Sequence, residues 1–426
     1  MKFRPILLTA AAAIVFTACS SGAATTAPAT QAPASQAPST APSESPTAST
    51  APSPSTDGAV MTDTAAADLR TALDLKLGEH IIFASKATGA ALGGRNEEFA
   101  AYGTLLNTNG TDLGEMIGSV YGAEAKDAFN GIWSAHNGFF VDYTTGVATK
   151  DKAMQDKAVQ DLTTVYVPQF TDLIVGATGL PKDAVTGLIT DHVLQTKAIV
   201  DAQAAKDDAA AYAAIRTAYA HMSMIGDALA GAIVAQNPDK IAGDPASAGV
   251  DLRVGLNQLL QEHLYLASFA TGSALGGRSD EFAAAGGALN TNGTDLGAAI
   301  GSLYGDEAKD AFNQIWSAHN GFFVDYTTGV ATKDMAMQDK AVQDLTTVYV
   351  PAFADFLAGA TDLPKDVLTT LITDHVLTTK AVVDAQFTED WTAAAAADRE
   401  AAQHMQMIGD PLAAAIVAKL PEKFAN

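Results

Sequence analysis

Histidine is the side chain of this sequence best suited to chemistry, and its placement is regular. The eight histidines stand at positions 80, 136, 192 and 221, and again at 263, 319, 375 and 404. His80, His136 and His192 are spaced 56 residues apart, and so are His263, His319 and His375. Every one sits on an apolar stripe. His319 has Phe312, Ile315, Trp316, Phe322, Phe323 and Tyr326 as helical neighbours, and His375 has Leu368, Leu371, Ile372, Thr379 and Val382. An imidazole that faces a core loses its hydration and must find a hydrogen-bonding group or a metal ion.

One pair stands out. His192 and His221 lie 29 residues apart with their midpoint between Lys206 and Asp207, and His375 and His404 have theirs between Glu389 and Asp390. If each midpoint is a turn, antiparallel helices bring the two histidines of a pair face to face. Met222 and Met224 follow His221, and Met405 and Met407 follow His404. Imidazole with thioether suits copper, Cu(I) above all, ahead of zinc or iron. A Met next to its His lies about 100° away around the helix, so only some of these sulfurs can join one site. The expected metal ligands are therefore His192, His221, His375 and His404. Met222, Met224, Met405, Met407, His80, His136, His263 and His319 are further candidates. Position 29 beyond His80 is Asn109 and beyond His136 is Val165, so those two meet each other, or the pair, only if hairpins pack side by side.

A competing reading takes the recurrent histidine as a packing and hydrogen-bonding device inherited through multiplication of a hairpin. The protein is then a metal-free interaction or scaffold module of the cell envelope. Noncovalent haem between His and Met is a third reading, but no residues mark a haem-sized pocket. The His-x-x-x-x-Asp and His-x-x-x-His patterns of a di-iron oxygen carrier are missing, Asp142 and Asp325 standing six residues after His136 and His319.

The elements that must carry these residues read as helices. Leu73, Phe129 and Val185 precede the three marker histidines by seven residues, and Leu77, Trp133 and Ile189 precede them by three, which is the spacing of one helix face. Turn chemistry follows each marker helix: Gly93-Gly94-Arg95-Asn96, Thr149-Lys150-Asp151 and Lys206-Asp207-Asp208. Return helices then carry Phe99, Leu105 and Leu106, next Val159, Leu162 and Tyr166, and last Tyr212, Ile215 and Tyr219. No run alternates with period two, so no strands are expected. Asn107 to Asp112 reads as a helix-breaking turn capped by Thr111 or Asp112, since an EF-hand register would put Leu105 and Met116 at its ends.

A larger period encloses the smaller one. Asp68-Leu69-Arg70 recurs as Asp251-Leu252-Arg253, Trp133 as Trp316 and Pro168 as Pro351, always 183 residues on. The sequence thus predicts an all-α protein of two tandem helical-bundle domains, 64–242 and 250–426, joined near Gly243-Asp244-Pro245. Each has about three hairpins, or six helices, and 64–242 is expected to fold alone.

Lys2 and Arg4 precede an apolar run, Ile6 to Phe16, that is too short to span a bilayer, which marks 1–19 as an export signal. Small residues before the single cysteine, Cys19, make that residue a candidate lipidation site. Residues 20–63 are rich in Ala, Ser, Thr and Pro and read as a disordered tether. The expected location is the bacterial cell envelope, extracytoplasmic and held to the membrane by the lipid anchor only. An envelope protein is the other expected partner besides a metal ion. No later segment reads as membrane-spanning. A net charge of −23 excludes nucleic acid as a partner. One cysteine excludes a thiolate zinc cluster, and GxxxxGK[ST], HExxH and GxSxG are missing, so no enzyme activity is expected.

The pattern DLR…L…L…EH…A, then GSVYG…A…AF…IW..H, then LP…H, resembles a helical domain of secreted bacterial proteins often labelled copper amine oxidase. The likeness spans each 183-residue copy. The enzyme of that label makes its quinone cofactor from a tyrosine in an Asn-Tyr-Asp/Glu context. The ten tyrosines here never follow Asn, so the resemblance implies the fold and not that oxidase activity.

Overall fold

The computed structural model describes residues 61–425. The expected export signal, Cys19 and the tether up to residue 60 lie outside them. The described residues are all-α and contain no strand. The first repeat holds α1 (Ala65–Leu92), α2 (Asn96–Tyr121), α3 (Ala123–Ala148), α4, α5 (Lys182–Ala205) and α6 (Asp208–Gln236). Helix α4 is one rod made of Lys152–Asp161, a π-helical turn Leu162–Tyr166 and Val167–Thr178. The second repeat holds α7 (Ala248–Leu275), α8 (Ser279–Tyr304), α9 (Asp306–Thr332), α10, α11 (Lys365–Phe387) and α12 (Trp391–Lys419). Helix α10 runs as Met335–Asp344, the π-turn Leu345–Tyr349 and Val350–Thr361.

The turns fall where their residues require. Asp151 and Asp207 accept hydrogen bonds from the backbone N–H groups of Met154 and Ala210, capping the helices that follow. The expected break at Asn107–Asp112 does not occur, because α2 runs straight through it. Asn109 is fully buried and donates to the Lys76 carbonyl at 2.9 Å and to Glu79 at 2.8 Å, so a tertiary partner outweighs its turn preference. Gly110 is needed there for another reason: a Cβ would stand 2.6 Å from Cδ1 of Trp133.

The two repeats form one compact unit with a continuous apolar core. α1 packs against α7, α6 against α8 and α12 against α2, an exchange with approximate two-fold symmetry. Its polar contacts are reciprocal. Arg216 on α6 grips Glu262 at 2.9 and 3.0 Å and Asp295 at 2.7 Å. Arg399 on α12 grips Glu79 at 3.1 and 3.2 Å and also bonds Asp112. The two Asp-Leu-Arg segments answer each other as well, Arg70 bonding Asp251 and Arg253 bonding Asp68.

The symmetry fails beside a cleft of about 630 Å³ between the repeats, which Lys86, Tyr102, Ile215 and Phe269 line. There Lys86 and Asp398, both buried, pair at 3.0 Å, and Tyr102 donates to Asp398 at 2.6 Å. The equivalent positions are Phe269, Ile215 and Ala285. Asp74, Glu79, Glu262 and Asp398 are all buried. Helix α6 meets the length and composition of a membrane span, but 56% of that stretch is buried inside the fold. The core therefore accounts for its apolar side chains.

Two outcomes follow from the buried charges. Removing one partner of a buried ion pair strands the other, so Lys86→Met or Asp398→Leu should each lose about 3–5 kcal/mol in urea unfolding. The double variant should lose clearly less than the sum of the two. Asp74 has no hydrogen-bond partner on either carboxylate oxygen, and burial with Asp227 nearby lifts its pKa to about 9. Its equivalent in the second repeat is Asn257, which donates to Asp410 at 2.6 Å. A carboxyl with a raised folded pKa loses stability as pH climbs from its unfolded value of 3.8 toward 9. Asp74→Asn should therefore stabilise the protein by about 1–3 kcal/mol at neutral pH, with a larger gain at pH 8 than at pH 5.

Candidate metal centre

Helices α1, α3 and α5 each follow the same path through their hairpins, so residues 56 apart come to one level. His80, His136 and His192 meet there, with one ligand nitrogen from each lying within 4.8 Å of the others. His263, His319 and His375 do the same in the second repeat. Imidazole centroids are 5.3, 5.7 and 5.9 Å apart in the first cluster and 5.4, 6.2 and 6.0 Å apart in the second. All six histidines are at most 3% exposed. The hairpins do pack side by side, which is the condition under which the sequence allowed His80 and His136 to meet His192.

Each cluster is framed by aromatic rings. Trp133 lies 4.6 Å from His80 and 4.8 Å from His136, and Trp316 takes the same place in the second repeat. Tyr166 stacks on His136 at 4.6 Å and 17°, and Tyr349 on His319 at 4.6 Å and 20°. These tyrosines close the two π-turns, two residues before Pro168 and Pro351. A proline inside a helix cannot donate to the carbonyl four residues back and its ring crowds that group. The wider π-turn relieves the conflict, and Val167 N–H reaches the Leu162 carbonyl five residues back. The proline thereby fixes the tyrosine against its histidine.

The nitrogen atoms are unevenly satisfied. His136 Nδ1 donates to the Trp133 carbonyl at 2.7 Å, and His319 Nδ1 to the Trp316 carbonyl at 2.9 Å. That bond puts the proton on Nδ1 and leaves a lone pair on Nε2, the arrangement by which metal-bound histidines are oriented. Nε2 of His136 has no hydrogen-bond partner, and neither do Nδ1 of His80 and both ring nitrogens of His192. In the second repeat the unpartnered atoms are Nδ1 of His263 and Nε2 of His375. Such buried orphans are uncommon and call for a reason. Burial is also the leading cause that holds these rings neutral. It pushes His136 and His319 down to about 4, His192 and His375 down to about 3, and His80 and His263 well below the usual value.

The expected facing pairs are rearranged. His221 is not in the cluster, since its Nε2 donates to the Leu188 carbonyl at 2.9 Å, and His404 donates to Leu371 at 2.8 Å. Met222 is 2% exposed and lines, with His192, Trp133 and Tyr166, a cavity of about 20 Å³. Met405 is buried equally, whereas Met224 and Met407 are 57% and 60% exposed. Sequence reasoning paired histidines by hairpin midpoint. The 56-residue period was the better signal, because equal phase in successive hairpins means equal height in the bundle. It also missed the role of Glu79 and Glu262, which precede His80 and His263 and tie their helices to the other repeat through Arg399 and Arg216.

The depressed pKa values set the acid response. A histidine with a lowered folded pKa loses stability as pH falls from about 6.5 through that value, because the unfolded chain takes up the protons. At pH 5 His136, His192, His319 and His375 should each cost on the order of 2 kcal/mol relative to pH 7.5. The urea midpoint of the metal-free protein should therefore fall steeply between pH 7 and 5. His136→Gln with His319→Gln should flatten that slope.

No family model matches the chain, and no curated protein or solved structure matches it.

Proposed function

We propose that the protein is a metal-binding protein of the cell envelope that holds one transition-metal ion in each of its two trihistidine clusters, for capture or sensing. The observation that carries this reading is the set of unpartnered, neutral imidazole nitrogens converging at the level of His80, His136 and His192 and again in the second repeat. A tetrahedral ion with nitrogen bonds of about 2.0–2.1 Å needs its donors roughly 3.3 Å apart. Binding would draw together nitrogens that now lie within 4.8 Å of one another.

Copper is favoured over zinc and iron. The clusters contain no carboxylate, and the thioether of Met222 borders the same cavity as His192. Three imidazoles and a thioether form a soft, neutral set that stabilises Cu(I) without adding negative charge. His136 and His319, held by the Trp133 and Trp316 carbonyls, supply the oriented Nε2 donors. No catalytic role is proposed.

Metal analysis of the untagged folded protein should return two ions per chain. His136→Ala should leave one and His136→Ala with His319→Ala none, whereas His221→Ala should keep both, since its ring serves the Leu188 carbonyl. The wild type should also gain about 2.7 kcal/mol of stability at a hundredfold excess of free ion over Kd. Two ions retained after loss of His136 and His319, or no binding by the wild type, would overturn the reading.

A further inference from the structure

Each cluster is sealed, and a bare ion has no exposed nitrogen of the cluster to meet first. His80, His136 and His192 are 2%, 0% and 2% exposed. Helix α6 nevertheless carries donors at graded depth beside the first cluster. Met224 is 57% exposed, His221 is 6% exposed, and Met222 is 2% exposed and lines the cavity that His192 also lines. The same gradation stands on α12, where Met407, His404 and Met405 are 60%, 8% and 1% exposed.

His221 has a defined donor atom. Its Nε2 gives its hydrogen to the Leu188 carbonyl, which leaves the lone pair of the neutral ring on Nδ1. The Leu371 carbonyl fixes His404 in the same way. Met224 follows His221 by three residues, so the two side chains are neighbours on the surface of one helix. His221 lies on α6, which packs against α5 and its His192.

We propose that His221 with Met224, and His404 with Met407, are loading sites that accept Cu(I) at the surface and pass it through Met222 or Met405 to the buried histidine cluster. This inference rests on the clusters binding metal. The transfer is ligand exchange: copper stays Cu(I), each step makes one bond from nitrogen or sulfur as another breaks, and no electron or proton is required. Thioethers give the path its selectivity, because they bind Cu(I) and offer little to zinc.

The test uses the full folded chain and Cu(I) presented as its complex with a coloured bidentate chelator. Transfer to the protein is followed by loss of that colour. Met224→Leu with Met407→Leu alters only exposed side chains of similar size. It should leave two Cu(I) bound at equilibrium and slow their transfer by about tenfold. Zinc uptake by the same variant should keep the wild-type rate. Unchanged Cu(I) transfer in a variant that still binds two ions would overturn the loading path and leave the buried centres standing. A wild type that binds no Cu(I) would overturn both.

Discussion

Three imidazoles buried against one another leave nitrogen atoms that water cannot reach and no protein group satisfies, and the rest of the fold is arranged around that desolvation. A buried polar atom without a partner costs on the order of 1–3 kcal/mol. The first repeat tolerates four at one level and the second two. The cost is bearable because the surrounding structure is strongly determined: Trp133 and Tyr166 pack against the rings, and the π-turn before Pro168 holds Tyr166 in place. Acid attacks the same point, since protonation of any one imidazole would put a charge beside two others in a dry environment.

The pairing of the repeats bears on the clusters through adjacent residues. Glu79 is bonded by Arg399 and Asn109, and His80 is the next residue on α1. Glu262 and His263 repeat the arrangement with Arg216 and Asn292. A carboxylate fixed in the interface thus holds the helix that presents an imidazole to the cluster. Arg399 lies on α12 with His404 and Met405, and Arg216 lies on α6 with His221 and Met222. Each helix that grips the opposite repeat also borders the histidines of its own.

Much of this was legible in the sequence, and the reasons differ by feature. The helix class, the turns after His80, His136 and His192, and the 183-residue repeat follow from local chemistry and self-similarity, which need no knowledge of packing. The grouping of the histidines needed the order in which hairpins stack, and midpoint arithmetic within one hairpin could not supply it. His221 and His192 do lie on antiparallel helices, yet the Leu188 carbonyl takes the ring of His221. Asn107 to Asp112 misled for a similar reason, because Asn109 is satisfied by Lys76 and Glu79 from another helix. Apolar periodicity could not reveal the buried Lys86 and Asp398 at all, since charged residues read as surface until their partners are known.

Those last two residues explain why a nearly symmetric molecule has distinct halves. The reciprocal arginine contacts suit either repeat facing a copy of itself, as Glu79 and Glu262 or Asp112 and Asp295 are equivalent. Lys86 and Asp398 do not have that freedom. A first repeat facing another first repeat would set Lys86 against Ile215, and a second facing a second would set Asp398 against Phe269, the residues at the equivalent positions. Either arrangement strands a buried charge at a cost of several kcal/mol. Tyr102 sharpens the preference, since its hydroxyl donates to Asp398 and Ala285 replaces it in the other copy. The ion pair adds little net stability over an apolar pair of the same volume. Its effect is on register: it makes first-with-second the pairing in which every buried charge is answered.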